Sequence, residues 1–167
     1  MTNTGTLKVT TPTDRAIVMT RVFDAPRRLV YDAHAKPELV KQWLLGPPGW
    51  TMPVCEMDVR VGGTYRWVWK SERDGTTMGM GGVYREVKAP ERLVSTEKFD
   101  EAWYPGESLN TLVLVEQGGR TTLTQTMRYE SPEAREAVVK SGMEKGVAAS
   151  YDRLEEVLSA TAPTTSR

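Results

Sequence analysis

The sequence predicts an α+β fold: a curved antiparallel sheet of seven strands wrapped around one long C-terminal helix, with two short helices between the first two strands. Three observations carry that prediction. Between residues 50 and 129, six strand-like segments are joined mostly by short turns rich in Gly, Pro and Asp, as in antiparallel hairpins. Residues 132–158 then hold one long amphipathic helical pattern. Finally, Tyr65, Trp67 and Trp69 follow Gly62-Gly63 at a spacing of two, so a strand there turns three large aromatics to one face. At about 200 Å² each and ~25 cal/mol/Å², covering them is worth roughly 15 kcal/mol as an upper bound. That is comparable to a domain's whole net stability, so this face needs a cover.

Taken in order, residues 15–23 read as the first strand, with Ile17, Met19, Arg21 and Phe23 on one face. Asp24 can cap the helix that follows, with Pro26 in its first turn and Leu29, Val30 and Ala33 on its apolar side. Pro37 opens a second short helix carrying Leu39, Val40, Trp43 and Leu44, which Gly46-Pro47-Pro48-Gly49 ends. Strands are expected at 50–60, 64–70, 77–87, 93–99, 109–116 and 121–129. The 100–107 loop carries Trp103, Tyr104 and Pro105 and reads equally as a lid or as a hairpin connection with a tucked aromatic. Ser131 caps and Pro132 starts the last helix, roughly 40 Å long at 1.5 Å per residue. Its stripe is Val139, Met143, Val147, Tyr151, Leu154 and Leu158. Gly142 and Gly146 interrupt it, each costing about 1 kcal/mol against alanine, which points to close backbone packing or to a hollow beside the helix. Residues 1–13 and 161–167, rich in Thr, Ser and Pro, are expected to be flexible tails around a single domain over 14–160.

Composition excludes several function classes. The 167-residue chain balances 22 basic against 22 acidic residues, so it has no electrostatic footprint for nucleic acid and no basic block for a membrane surface. No apolar run reaches the length of a membrane span. One cysteine, Cys55, allows no internal disulfide, and with no signal-peptide pattern a cytoplasmic location is expected. One histidine and one cysteine cannot build a zinc site, and no cofactor is expected. A Ser-His-Asp triad would have to use His34, which reads instead as a helix-terminal histidine before Lys36-Pro37. Gly79-Met80-Gly81-Gly82 is no phosphate loop, since no Gly-Lys-Ser/Thr follows and its flanks read as strand.

In this pattern the residues match a known family. The chain resembles the START-like superfamily, also called SRPBCC, with its helix-grip fold. More narrowly it is similar to homologues of the activator of heat-shock protein 90 ATPase. The matching pieces begin with Phe23-Asp24-Ala25-Pro26-Arg27, Pro37-Glu38-Leu39-Val40-Lys41-Gln42-Trp43 and Asp58-Val59-Arg60-Val61-Gly62-Gly63. They continue through Tyr84-Arg85-Glu86-Val87 and Pro90-Glu91-Arg92-Leu93-Val94 to Gly142-Met143-Glu144-Lys145-Gly146 and Leu154, spanning residues 14–160. The resemblance implies a hydrophobic ligand held between sheet and C-terminal helix, where some superfamily members cyclise or hydrolyse polyketides. It also admits a chaperone as partner. The co-chaperone that names the branch carries an additional N-terminal domain where this chain has thirteen residues, so the fold transfers further than the chaperone activity does. Relatives often place Trp after the second glycine of the last helix; Val147 here implies a larger hollow unless Trp67, Trp69 or Met127 fills it.

The expected ligand-binding residues come from every element. Trp43, Trp50 and Met52 lie on the second helix and second strand, and Tyr65, Trp67 and Trp69 on the aromatic strand. Met78, Met80, Tyr84 and Phe99 lie on the next two strands, and Trp103 in the loop. Met127, Met143, Val147 and Tyr151 complete the set from the last strand and helix. Methionine-rich walls suit loosely specified apolar ligands, and the alternative is that these residues are simply core. Groups for chemistry are few. Asp58 and Arg60 read as an ion pair at the Gly62-Gly63 corner, and Gln125 as either an inward amide or an exposed strand residue. Glu86 is the one weak catalytic candidate, should it share Tyr84's inward face. Three functions follow: a binding protein for a small hydrophobic lipid-like or polyketide-like molecule, an enzyme of cyclase, dehydratase or hydrolase type in the same cavity, or a chaperone-associated module. Both a monomer and a homodimer fit the sequence.

Overall fold

A computed structural model describes residues 7–101 and 103–161. The elements in chain order are β1 (Lys8–Thr10), β2 (Ala16–Phe23), α1 (Arg27–Ala35), α2 (Pro37–Trp43), β3 (Trp50–Met57), β4 (Thr64–Ser71), β5 (Thr77–Lys88), β6 (Arg92–Phe99), β7 (Ser108–Gln117), β8 (Arg120–Arg128), α3 (Pro132–Lys140) and α4 (Met143–Thr161). All neighbouring strands are antiparallel, in the order β1-β2-β8-β7-β6-β5-β4-β3. The helices lie on one face of this sheet, giving the α+β helix-grip arrangement that the sequence predicts.

The sheet has eight strands rather than seven. The additional strand, β1, pairs Lys8 with Thr20 and Thr10 with Val18 inside a segment whose polar composition reads as a tail. Three residues on a sheet edge need no apolar signature, so composition does not reveal them. Residues 1–6 and 162–167 of the expected tails lie outside the described residues.

The C-terminal helix is also two helices. Ser131 caps α3 through its Oγ, which accepts from Ala134 N at 3.1 Å, with Pro132 at the first position. Gly142 then takes φ +79°, a left-handed conformation that ends α3 and lets α4 set off afresh. The break resets the helical phase. Val138 and Ala134 are buried on α3, while Val139, expected in the continuous stripe, is 42% exposed. At Gly146 close backbone packing does not demand glycine, since a Cβ there would make an ordinary contact of 3.4 Å with Pro47 Cδ.

At the start of α1, Asp24 does not cap. Pro26 occupies the cap position, and the free Arg27 N–H donates to Glu116 Oε1 of β7 at 2.8 Å, so a carboxylate from the sheet takes the capping role. On β2 the alternation holds, with Ile17, Met19, Arg21 and Phe23 all buried. The buried Arg21 is balanced by Asp152 at 2.9 Å and Glu155 at 2.7 Å, which pins the second half of α4 to the sheet. Phe23, Tyr151, Leu154 and Leu158 share one core cluster with α1 and α2. A second cluster under α3 joins Ile17, Met127, Tyr129 and Val138 to Tyr104 of the β6–β7 loop.

Candidate functional site

The main backbone neighbours of α4 are the other three helices rather than any strand. Large side chains bridge the gap instead: Tyr151 meets Phe23 edge-on at 5.7 Å and stacks on Trp43 at 5.9 Å, and its hydroxyl donates to Gln125 Oε1 at 3.5 Å. Between sheet and helix remains a cavity of about 1000 Å³, the size of a drug-like ligand site.

Every expected lining residue except Met52 borders this cavity. Met52 is lost to a bulge. Between Thr51 and Val54, three steps on β3 match two on β4, so Met52 and Pro53 leave the alternation and Cys55 and Met57 take the positions opposite Trp67 and Tyr65. Pro53, lacking an N–H, fits such an irregularity on an edge strand. The aromatic strand behaves as its spacing requires: Tyr65, Trp67 and Trp69 face inward, and Arg66 and Lys70 are exposed. Arg66 forms a bidentate pair with Asp100 at 2.7 and 2.6 Å on the outer face.

The glycines of β5 have packing roles rather than phosphate chemistry. A Cβ at Gly79 would strike the Asp100 carboxylate, and one at Gly82 would strike the Thr96 carbonyl. The absence of a side chain at Gly82 lets the Tyr65 ring cross over β5, so that its hydroxyl donates to Thr96 O at 2.6 Å. Burial in this position raises the Tyr65 phenol far above its ordinary value, with the nearby Glu97 adding to the effect.

On the helical side, Trp43 is buried, donates from Nε1 to Ala33 O at 2.9 Å and packs edge-on against His34 at 4.9 Å. His34 itself borders the cavity, which its reading as a helix-terminal histidine does not anticipate. Its Nδ1–H donates to Val30 O at 2.8 Å, leaving Nε2 buried without a partner. Burial lowers its pKa to about 4, so the ring is neutral at physiological pH. Trp69 Nε1 donates to Leu44 O at 2.7 Å, whereas Trp67 Nε1 is buried and unpartnered.

The carboxylate at the cavity is Glu97, not Glu86. A register shift between Tyr84 and Glu86 turns Glu86 outward, where it pairs with Arg92 at 3.1 Å and its side chain is 46% exposed. Along β6 the residues facing the cavity are Leu93, Ser95, Glu97 and Phe99. Ser108 on β7, opposite Glu97 in the register, donates to Glu97 Oε1 at 3.1 Å. Glu97 meets the cavity but is shielded from bulk water by surrounding protein, and that desolvation raises its pKa. Hydrogen bonds from Ser108 and Asn110 offset the rise in part. Asn110 and Gln125 also border the cavity, which settles Gln125 as inward.

The rim is marked by lining residues that are exposed: Pro47 and Pro48, Met78, Trp103, and Ser141, Gly142 and Lys145 at the α3–α4 turn. The 46–48 loop is tied to α4, since Gly46 N donates to Ser150 Oγ at 2.9 Å and Arg153 donates to Gly46 O at 2.8 Å. In the β6–β7 loop both readings have a residue. Tyr104 is tucked against Tyr129 at 5.3 Å, while Trp103 stands 43% exposed at the rim. Asp58 and Arg60 form the expected exposed ion pair at 2.9 Å, away from the cavity. Among the described residues no group of three or more His, Cys, Asp and Glu side chains could hold a metal ion, and no helix is long and apolar enough to cross a membrane.

Comparison with known proteins agrees with this geometry. The family model described as activator of Hsp90 ATPase homolog 1-like protein matches residues 24–159. A crystal structure of a protein from Rhodobacter sphaeroides is 32% identical, with a TM-score of 0.87 over 93% of this chain and 99% of that one. A Chromobacterium violaceum protein is 27% identical, with a TM-score of 0.78 over 87% of this chain and 98% of that one. Protein Ms6760 from Mycobacterium smegmatis, 24% identical with a TM-score of 0.81 over 93% and 98%, shares the fold. No curated protein matches the sequence.

Proposed function

The chain belongs to the activator of Hsp90 ATPase homolog 1-like family, and on that premise we propose that it binds a small hydrophobic ligand between the sheet and α4. The observation that supports this most is the cavity of about 1000 Å³ beneath the first half of α4, which Tyr151 spans to reach Phe23 and Gln125 of the sheet. An ordinary core closes such space, because interiors pack to crystal-like density and each void forfeits contact energy. Here the walls are propped: Trp43 and Tyr151 stack, Trp69 is held by Leu44 O, and the 46–48 loop is tied to α4. Tryptophan, tyrosine and methionine side chains make most of the wall opposite α4, as expected for an apolar guest.

Native mass spectrometry of freshly purified protein, followed by solvent extraction, tests the reading. The expected result is a retained small molecule, or stoichiometric uptake of an added apolar probe that alters tryptophan fluorescence. A protein that retains nothing and takes up no apolar probe would overturn it.

Glu97 supports a second reading, an enzyme acting on a hydrophobic substrate in the same cavity. A carboxyl group with a raised pKa beside an apolar space has the properties of a general acid or base. Turnover lost in Glu97→Gln while ligand binding persists would convert the binding protein into an enzyme; unchanged turnover would remove Glu97 from any such role.

A further inference from the structure

The polar groups of the cavity are gathered on one wall. Ser95 and Glu97 on β6 and Asn110 on β7 all border the cavity, with Ser95 opposite Asn110 and Glu97 opposite Ser108 in the strand register. Three features of this patch bear on what it meets. Among the described residues Glu97 is the only acid bordering the cavity, and its oxygens are engaged by Ser108 and Asn110 with no cation among their partners. Asn110 is 8% exposed, and its Oδ1 is buried with no hydrogen-bond partner. Among the described residues the one lysine or arginine on the lining, Lys145, is exposed at the rim on α4.

A buried acceptor without a partner and a carboxyl group with unused capacity are each costly in an apolar space. We propose that this patch is a head-group subsite, in which Glu97 and Asn110 take the hydroxyl of an otherwise apolar ligand. The inference rests on the cavity reading above and adds the chemistry of the ligand's polar end.

The choice of head group follows from the partners available. A carboxylate or phosphate head would face Glu97 with no buried cation to balance it. A ketone oxygen could accept from a protonated Glu97 but would leave Asn110 Oδ1 unpaired. An ammonium could pair with an ionised Glu97, but it brings a second charge out of water beside a patch whose other groups, Ser95, Ser108 and Asn110, are neutral. A hydroxyl both donates and accepts. With Glu97 neutral it accepts from the acid and donates its one proton to Asn110 Oδ1, satisfying both; with Glu97 charged that proton goes to one of the two acceptors. The aromatic and methionine walls then cover the apolar remainder.

Titration calorimetry with three naphthalene probes tests this: the isosteric pair 2-naphthol and 2-methylnaphthalene, and the slightly longer 2-naphthylmethylamine, against wild type, Glu97→Met and Glu97→Gln. A featureless apolar cavity favours the methyl compound, because a hydroxyl is penalised on leaving water. The subsite reverses that order, and 2-naphthol is expected to bind wild type about tenfold tighter than 2-methylnaphthalene. Glu97→Met should erase the preference while leaving the hydrocarbon affinity in place, which also shows that the variant is folded. Glu97→Gln, which still donates and accepts, should keep part of the preference. Equal or reversed affinities in wild type overturn the subsite, as do a preference that survives Glu97→Met and tighter binding of the amine than of 2-naphthol. Should Glu97→Met fail to fold, the wild-type comparison alone decides. If none of the three probes binds wild type, the cavity reading fails and the subsite with it. Binding without discrimination removes the subsite alone.

Discussion

Two sides of one cavity are built on different principles. The aromatic side, from Trp43 across to Tyr65, Trp67 and Trp69, is made of rings that brace one another: Tyr65 to Trp67 at 4.5 Å, Trp67 to Trp69 at 6.1 Å, Trp43 to Tyr151 at 5.9 Å. The polar side, on β6 and β7, is a small set of hydrogen-bonding groups around Glu97. On each side burial displaces a group that titrates below neutrality, His34 downward and Glu97 upward. Burial disfavours the charged form in both, so at neutral pH it keeps the base uncharged and resists ionisation of the acid. The aromatic side therefore supplies shape and fold stability, and on the proposed reading the polar side supplies specificity at a cost in stability. Substitutions on the two sides should separate these roles.

The largest effect belongs to Trp43→Ala. The ring is 2% exposed, spans α1, α2 and α4, and donates to Ala33 O. Its removal is expected to cost about 3–5 kcal/mol in urea denaturation, within the range for buried tryptophan. A cost under about 1 kcal/mol would mean that the aromatic side is lining and not framework.

How much of each side the sequence reveals differs for a physical reason. The aromatic strand is legible because three large rings at period two after a glycine pair have no stable exposed arrangement. Glu97 is not legible, although it shares parity with Leu93 and Phe99 in β6. That strand is central, and Val94 and Thr96 on its other face are buried too, so alternation does not separate inside from outside. A Glu beside an exposed Lys98 reads as a solvated charge pair. Glu86 and Met52 fail for a related reason, since each follows or occupies a register shift that inverts parity, and nothing in the local residues fixes where the shift falls. The division of the C-terminal helix turns on whether Gly142 adopts a left-handed conformation. The steps of four from Val139 to Met143 to Val147 mask it by continuing an apolar stripe across the break.

Acid should weaken the aromatic side first. His34 titrates near 6.5 when unfolded and at about 4 when folded. As pH falls through that interval the unfolded chain takes up the proton and the native state does not, so stability is lost progressively and levels off below about 4. The difference corresponds to about 3 kcal/mol at most. Denaturation measured at pH 7 and pH 5 should show part of this loss in wild type and a shallower slope in His34→Gln. Equal slopes would mean that His34 protonates in place.

A smaller effect, on binding, comes from closing the space between the two sides. Val147 borders the cavity near the start of α4 and contacts both core clusters. Val147→Trp should lower the affinity for a naphthalene probe about tenfold, equivalent to ~1.4 kcal/mol, while the far-ultraviolet circular dichroism and urea midpoint stay close to wild type. Unchanged affinity in a folded variant would place the ligand away from α4.

The smallest effect is the most diagnostic of the polar side, because its sign depends on pH. The folded pKa of Glu97 lies above its unfolded value, so the native state holds the proton more tightly than the unfolded chain. Its ionisation equilibrium therefore subtracts stability as pH rises from the ordinary carboxyl range through the raised native value, and below that range subtracts nothing. Glu97→Gln removes the titration, keeps an oxygen to accept from Ser108, and keeps a donor for the cavity. The variant is expected to be more stable than wild type at pH 8 and no more stable at pH 4. The same difference at both values would show that Glu97 ionises freely and that the two sides of the cavity do not differ in the way burial requires. A gain confined to the higher pH would show that the polar side is retained at a cost in stability, as expected of a group kept for what it binds.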